Sequence, residues 1–227
     1  MICPLIFLPP PAINTATKLN ELKQSFPQDL LIVAHQENYA LWPSAKIEEA
    51  FQGRCQQLKL NDFIHSLPQM IIATATDRQV KLGTAESCTG GLAASLLTDV
   101  AGSSAAIQGG VVSYSNEVKI QLLGVSARTL AEHGAVSIPV ASAMAQGAAK
   151  ALGADFVVSF SGIAGPGGGS VQKPVGTVAI GIYEKGEAYA QMYQFYGDRL
   201  SLKRQFAMQG LLQIWAALNR SAQPSPI

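Results

Sequence analysis

The sequence predicts a layered α/β fold, in which helices cover the faces of a central sheet. Apolar runs typical of strands alternate with helical patterns from about residue 61 onward, and this alternation is typical of sheets covered by helices. Glycine is concentrated in the same part, since only Gly53 of the 21 glycines precedes residue 83. The composition is 48% hydrophobic and 14% charged, which supplies enough apolar side chains for a core and argues against disorder.

The predicted elements follow one another with short connections. Asn61 and Asp62 are suited to cap a first helix, which Pro68 is expected to kink or restart. Further helices are expected over residues 89–100, 116–123, 126–133, 137–152 and 198–219. Strands are expected over residues 81–85, 105–114, 156–160, 177–183 and 188–196.

Residues 1–60 form a different kind of segment. Seven of the 12 prolines precede residue 69, and the segment offers one strand, residues 30–34, and one helix, residues 44–58. These elements are too few to bury a core alone, so we expect a short accessory segment that docks on the main domain. Residues 61–219 are expected to form that domain, and residues 220–227 a frayed tail.

The bulk properties exclude several classes of protein. The formal net charge of +1 argues against a nucleic-acid binder, although it allows a small anionic substrate. Cys3, Cys55 and Cys88 are too few and too scattered for a disulfide framework or a zinc site, which fits a reducing cytoplasm. The first apolar run lacks a basic start and is cut short by three prolines, so it does not resemble a signal peptide. No stretch approaches the ~18 apolar residues that span a bilayer, and a soluble cytoplasmic protein is expected.

The segment from Ala85 to Gly91 joins a predicted strand to a predicted helix and contains two hydroxyl groups and two glycines. In one interpretation, Ser87 or Thr89 only caps the helix by accepting a bond from a first-turn N–H. In the other, Ser87 lies in a cleft at the carboxyl edge of the sheet, where α/β proteins bind ligands. N–H groups near Thr89, Gly90 and Gly91 then bind an oxyanion, because the missing glycine side chains let a substrate carbonyl approach.

A serine nucleophile needs a base, and the segment that ends at Lys119 offers one. Ser115 or Asn116 is suited to cap the following helix, which places Lys119 in its first turn, near the positive end of the helix dipole. The dipole and burial in a cleft both disfavour the protonated amine. Lys119 then accepts a proton from Ser87, with Tyr114 as a relay or orienting group. The alternative is a solvated lysine on the helix surface.

Two further segments carry ligand candidates. The backbone N–H groups of the glycine-rich loop after residue 160 can line a polar pocket. The glycines expected to contribute there are Gly165, Gly167 and Gly168. Lys173 at the end of the loop and Arg199 at the start of the last helix are candidates for binding a phosphate. The alternatives are a mobile surface loop and an exposed arginine, and His133 is interpreted as the end of a helix at Gly134 rather than as a member of a triad.

Six short segments are each weak evidence for a family, but their occurrence together and in this order is specific. They are Thr84–Gly91 (TAESCTGG), Tyr114–Lys119 (YSNEVK), His133–Ser137 (HGAVS), Ser161–Gly169 (SGIAGPGGG), Lys173–Thr177 (KPVGT) and Gly197–Arg199 (GDR). In this order they resemble the C-terminal CinA domain family, over about residues 61–219.

The resemblance implies a three-layer α/β/α sandwich with a mixed sheet, associating as a homodimer or a larger homo-oligomer, with no metal and no cofactor. It also implies that the substrate is a small pyridine nucleotide: the carboxamide of nicotinamide mononucleotide is hydrolysed to nicotinic acid mononucleotide and ammonia. The family's serine falls on Ser87, and its tyrosine and lysine fall on Tyr114 and Lys119. The competing class is a non-catalytic module that senses nucleotides or binds partners, linked to competence or DNA damage. The presence of all three residues favours the enzyme.

Overall fold

The computed structural model describes residues 60–220, together with three short strands at residues 5–7, 31–35 and 38–42. Side chains are described for residues 67–219. The chain divides into two compact units. One unit consists of Met1–Ser66 with Phe195–Gly197, and the other of Leu67–Gln194 with Asp198–Ile227. The helix predicted over residues 44–58 lies outside the described residues.

The first unit contains a small three-stranded sheet. Its strands are β1 (Leu5–Phe7), β2 (Leu31–His35) and β3 (Asn38–Trp42). Strand β1 runs parallel to β2, and β2 runs antiparallel to β3. The strand predicted over residues 30–34 corresponds to β2.

The second unit is built on a five-stranded mixed sheet. Its strands are β4 (Leu82–Glu86), β5 (Ile107–Val112), β6 (Phe156–Gly162), β7 (Thr177–Glu184) and β8 (Glu187–Gln194). They lie in the order β5-β4-β6-β7-β8. Strand β4 is parallel to both β5 and β6, whereas β7 is antiparallel to β6 and β8. The carboxyl ends of the parallel strands therefore meet at one edge, where α/β folds bind ligands.

Six α-helices accompany this sheet in the described part of the chain. They are α1 (Leu60–Asp77), α2 (Leu92–Thr98), α3 (Asn116–Leu123), α4 (Ala127–His133), α5 (Ile138–Leu152) and α6 (Arg199–Arg220). A short 3-10 turn at Ser103–Ala105 precedes β5, which therefore begins later than predicted.

The helices form one layer on each face of the sheet. Helix α5 packs on one face with α3 and α4 against it, and α2 and α6 pack on the other face. Small side chains let α5 lie close to the sheet: a methyl group at Gly181 of β7 would lie 2.5 Å from the carbonyl oxygen of Ala141. On the opposite face, a methyl group at Gly210 of α6 would overlap the ring of Phe160. The predicted α/β/α sandwich is confirmed.

The prediction that Pro68 restarts the helix is wrong, and a kink at Pro68 stays a prediction. Helix α1 begins before Asn61 and continues through Pro68 to Asp77. Proline removes one helical hydrogen bond, but the helix keeps an apolar stripe on either side of it, and Leu67, Ile71 and Ala75 are fully buried. Burial of this stripe holds the helix together through the proline.

None of the helices in the described part of the chain is both long and apolar enough to cross a bilayer.

Candidate active site

A cleft of about 220 Å³ lies in the second unit, at the edge of the sheet where β4 and β6 end. It is bounded by the turn after β4, the start of α3, the segment after α4, the end of β6 and the start of α6. The side chains that supply polar atoms or a thiol to its wall are those of Ser87, Cys88, Tyr114, Asn116, Lys119, Ser161 and Arg199. Two of the three predicted catalytic groups, Ser87 and Lys119, meet here directly.

Ser87 lies on a tight turn between β4 and α2. Its amide donates to the carbonyl oxygen of Phe160 on the neighbouring strand at 3.0 Å, and its own carbonyl accepts from the Gly90 amide at 3.1 Å. Gly90 and Gly91 have φ of 64° and 92°, a left-handed region that favours glycine. Helix α2 begins only at Leu92, with Gly91 as an N-cap that offers no side-chain bond. Neither Ser87 nor Thr89 caps the helix, so that interpretation is wrong.

Lys119 is the fully buried partner of Ser87. Ser115, with its hydroxyl accepting a bond from the Val118 amide at 3.3 Å, starts helix α3 and places Lys119 in the first turn. The Lys119 side chain is 1% exposed, and its Nζ lies 3.1 Å from Ser87 Oγ. It also donates to the carbonyl oxygens of Ser113 at 2.9 Å and of residue 114 at 3.2 Å. The alternative of a solvated surface lysine is therefore wrong.

Burial lowers the pKa of Lys119 below its ordinary value of 10.5, because the charged ammonium loses its hydration. The negative charges that Cys88 and Glu117 can carry act in the opposite direction and do not reverse the shift. A lysine with a lowered pKa has a larger neutral fraction at neutral pH, and the neutral amine can accept a proton. The carbonyl oxygens of Ser113 and Tyr114 leave the third direction of Nζ to Ser87 Oγ, and a base role for Lys119 stays a prediction.

Cys88 follows the serine but differs from it chemically. Burial raises the pKa of its thiol to about 12, and the negative charge of Glu86 adds to the shift. A thiol with so high a pKa carries almost no thiolate, which is the nucleophilic form. Of the two adjacent side chains, Ser87 is the one that is hydrogen-bonded to Lys119 Nζ.

Tyr114 and Arg199 meet on the open side of the cleft. The phenol of Tyr114 is on a side chain that is 64% exposed, and its oxygen lies 3.4 Å from Arg199 Nη2. The other guanidinium nitrogen, Nη1, donates to the Gly165 carbonyl at 2.6 Å. The structure thus brings the backbone carbonyl of Tyr114, rather than its phenol, to Lys119. A relay role for the phenol stays a prediction.

The remaining predicted ligand groups are distributed differently. Lys173 Nζ donates to the carbonyl oxygen of His133 at 3.0 Å, and neither residue lines the cleft. His133 ends α4, with Gly134 as its C-cap, as expected. Gly167 and Gly168 lie on the exposed part of the loop and also do not line the cleft.

Two of the three amides expected to bind an oxyanion are already engaged. The Gly90 amide donates to Ser87, and the Gly91 amide donates to a carboxylate oxygen of Glu86 at 3.0 Å. The Thr89 hydroxyl is buried without a partner among the described residues. Glu86 was not anticipated as part of the site. The sequence shows a carboxylate immediately before the serine, but only the structure shows that the following helix has no capping side chain at its N-cap.

No group of three or more histidine, cysteine or carboxylate side chains in the described segments is placed to hold a metal ion.

Comparison with known proteins identifies the same region. Residues 64–218 match the family model described as the CinA C-terminal domain. A nicotinamide-nucleotide amidohydrolase PncC of Escherichia coli K12 is 52% identical over 139 residues, which cover 61% of this chain and 84% of that protein. A CinA-like protein of Leptospira borgpetersenii is 46% identical over 162 residues, which cover 71% of this chain and 38% of that protein.

The fold is shared with a solved structure of the same superfamily. A competence-damaged protein (CinA) superfamily protein of Klebsiella pneumoniae superposes with a TM-score of 0.67 at 35% identity, over 69% of this chain and 98% of that one. The family model matches well over half of this chain, and the matched range contains both Ser87 and Lys119. The chain therefore belongs to the CinA C-terminal domain family.

Proposed function

We propose that the chain is an amidohydrolase that converts nicotinamide mononucleotide to nicotinic acid mononucleotide and ammonia. The observation that carries the proposal is the 3.1 Å contact between Ser87 Oγ and the buried Nζ of Lys119. The substrate is suggested by the name of the E. coli relative, a nicotinamide-nucleotide amidohydrolase that is 52% identical to this chain over 139 residues. A nucleophile within reach of a base of lowered pKa is the arrangement that acyl transfer requires.

The reaction proceeds in two halves. Neutral Lys119 accepts the hydroxyl proton as Ser87 Oγ attacks the carboxamide carbon, forming a tetrahedral intermediate. The Lys119 ammonium then gives this proton to the nitrogen of the breaking C–N bond, and ammonia leaves behind an ester on Ser87. In the second half, Lys119 takes a proton from the attacking water and returns it to Ser87 Oγ as the acid is released.

The amides of Cys88 and Thr89 are the donors that we assign to the oxyanion. Among the described residues, no carbonyl oxygen accepts a bond from either amide, and the two residues are the first and second after the nucleophile. The amide of the residue after a nucleophile serves this role in other serine hydrolases. Gly90 and Gly91 then contribute by their shape, since side chains there would narrow the approach to the turn.

The charged end of the substrate is assigned to Arg199. Its guanidinium lines the cleft beside Tyr114 and contacts the loop at Gly165. A planar guanidinium binds phosphate through two N–H groups. Lys173, with Gly167 and Gly168, does not line the cleft and is assigned the outer wall of this subsite.

Ammonia release from nicotinamide mononucleotide by the purified protein tests the proposal. Ser87→Ala should lower kcat on the order of 10⁴- to 10⁶-fold while the protein stays folded, because no other nucleophile has a base. Cys88→Ala is the matched control and should keep most of the activity. Full activity in Ser87→Ala would contradict the proposal, and nucleotide binding without turnover in the wild type would favour the non-catalytic module instead.

A further inference from the structure

Glu86 is the last residue of β4 and directly precedes the nucleophile. Its side chain is fully buried, and each carboxylate oxygen accepts two hydrogen bonds. Oε1 accepts from the Thr84 hydroxyl at 3.1 Å and from the Ala94 amide at 2.8 Å. Oε2 accepts from the amides of Gly91 at 3.0 Å and Ala93 at 3.1 Å. Four donors saturate an ionised carboxylate, which only accepts.

These bonds provide the cap that α2 lacks. The first amides of any helix have no partner within the helix. Here the N-cap residue is Gly91, which has no side chain, and the first turn contains no acidic residue. The acceptor comes instead from the end of β4, on the other side of the Ser87 turn. Both ends of the turn are therefore tied to one residue.

Glu86 is also connected to the base. Its backbone carbonyl accepts the Ser113 amide at 2.8 Å, and the Ser113 carbonyl accepts a bond from Lys119 Nζ at 2.9 Å. The Ser87 amide is held by Phe160 on the opposite neighbouring strand. The backbone at the end of β4 thus holds the Ser113 carbonyl that binds Lys119. The Glu86 side chain holds the end of the Ser87 turn at Gly91.

We propose that Glu86 is a positioning residue of the Ser87–Lys119 pair. Its carboxylate holds the turn from Ser87 to Gly91 against the start of α2, which keeps Ser87 Oγ in line with Lys119 Nζ. Glu86 does not line the cleft and touches no substrate. A displacement of about 1 Å in a reacting group can cost about 100-fold in rate, so loosening this turn acts on the chemical step. The kinetic part of the test rests on the proposed function.

The variant that isolates this role is Glu86→Gln. It keeps the size of the side chain but replaces one accepting oxygen with a donating NH₂, so two of the four donors lose their acceptor. We expect kcat for nicotinamide mononucleotide to fall about 10- to 100-fold, with KM within about threefold of the wild type. The matched control is Glu187→Gln, which changes an exposed carboxylate at the start of β8 and should alter neither constant.

A second readout does not depend on the substrate. A fluorophosphonate reagent reacts with aligned serine nucleophiles, with loss of fluoride, and Ser87→Ala supplies the blank. The rate constant of labelling at Ser87 should fall in Glu86→Gln by a factor similar to that in kcat. Wild-type protein that is labelled but releases no ammonia would refute the proposed substrate, and the labelling rates would still decide the role of Glu86. Wild-type protein that shows neither reaction would overturn both proposals.

The role is overturned if folded Glu86→Gln keeps wild-type kcat and labelling, or if KM alone changes. Circular dichroism and thermal unfolding establish folding. If Glu86→Gln does not fold, Thr84→Val takes its place, because it removes one donor to Oε1 and leaves the carboxylate intact. A fall in kcat and labelling of about threefold or more then supports the role, and unchanged values overturn it.

Discussion

The Ser87 turn and the glycine-rich loop from Ile163 to Gly176 border the same cleft and are held in opposite ways. The turn is tied to distant elements through Phe160 and Lys119, and its side chains are buried. In the loop, residues 166–172 are exposed, and the bond from the Ser170 amide to the Lys173 carbonyl is local. Bonds to distant elements are made on either side of this exposed part, at Gly165 and Lys173. Buried long-range contacts fix the position of the side chains proposed to react with the substrate, whereas an exposed loop can adapt to the rest of a substrate.

The contrast predicts a gradient of mutational effects, steep at the turn and shallow at the loop. Variants that probe the two regions therefore test the comparison itself.

After Ser87→Ala, the largest effect is expected at Lys119, the proposed base. Lys119→Met should lower kcat by about 10²- to 10⁴-fold, the range for losing a general base. Lys119→Arg should be nearly as damaging, because a guanidinium stays protonated and cannot accept the serine proton. Steady-state ammonia release measures both variants. An active Lys119→Arg enzyme would eliminate the base role and leave Lys119 as electrostatic support.

The pH dependence follows from the same residue. Because burial lowers the pKa of Lys119, kcat/KM should rise about tenfold per pH unit below that pKa and level off above it. Folding also becomes linked to pH: between the lowered pKa and the ordinary value of 10.5, the unfolded chain binds more protons than the folded one. The free energy of unfolding should therefore rise with pH across that window. Chemical denaturation at several pH values should show this slope in the wild type and its loss in Lys119→Met.

Arg199 and Lys173 are the two cations assigned to the outer part of the site, and substituting each in turn gives a matched comparison. Arg199→Met should raise KM about tenfold, the loss expected for about one charge-assisted hydrogen bond to phosphate. Lys173→Met should change KM by about threefold or less, because its ammonium is occupied by the His133 carbonyl. The KM of each variant should be measured for nicotinamide mononucleotide and for nicotinamide riboside. Because the riboside lacks the phosphate, an increase in KM that is confined to the mononucleotide shows a contact with the phosphate. Equal penalties on both substrates would move Arg199 away from the phosphate.

The smallest effect is expected from removing residues 1–60. The family match begins at residue 64, and the Klebsiella protein, 98% of which superposes on this chain, aligns with 69% of it. A chain that begins near residue 60 should stay folded, with kcat within about twofold of the full chain, as for changes away from a site. Loss of activity in a folded truncated protein would place part of the site in the removed segment.

The proximity of Ser87 and Lys119 could be predicted from the sequence because each residue lies in a short, locally determined setting. Ser87 follows a strand and Lys119 follows a capping Ser115, and strand order in a parallel sheet brings the two together. The proposed role of Glu86 could not be predicted from the sequence. Its carboxylate oxygens accept hydrogen bonds from amides five to eight residues later in the chain, and only the folded turn brings those amides close to the carboxylate. For Tyr114, the sequence pattern predicted that the residue lies beside the cleft, but it did not predict where the phenol points. The direction of a side chain beyond the end of β5 depends on the local turn.

The same limit applies to element ends. Helix α3 matches its prediction, residues 116–123, because Ser115 and Gly124 mark both ends chemically. Helix α2 begins later than predicted, since two left-handed glycines extend the turn before it. The sequence predicts the end of a helix where a nearby residue satisfies the free backbone hydrogen-bonding groups of that end. Where those groups bond to distant residues, the end cannot be predicted from the local sequence.

The buried thiol beside the nucleophile bears on how the protein withstands oxidative stress. Because burial raises the pKa of Cys88 to about 12, almost none of its thiol is ionised at neutral pH. Peroxides and electrophiles attack thiolates, and oxidation to sulfenic acid follows thiolate character and exposure. Under the proposed function the reacting group is the Ser87 hydroxyl, so we expect oxidants that attack thiolates to leave the reacting group of this site unchanged.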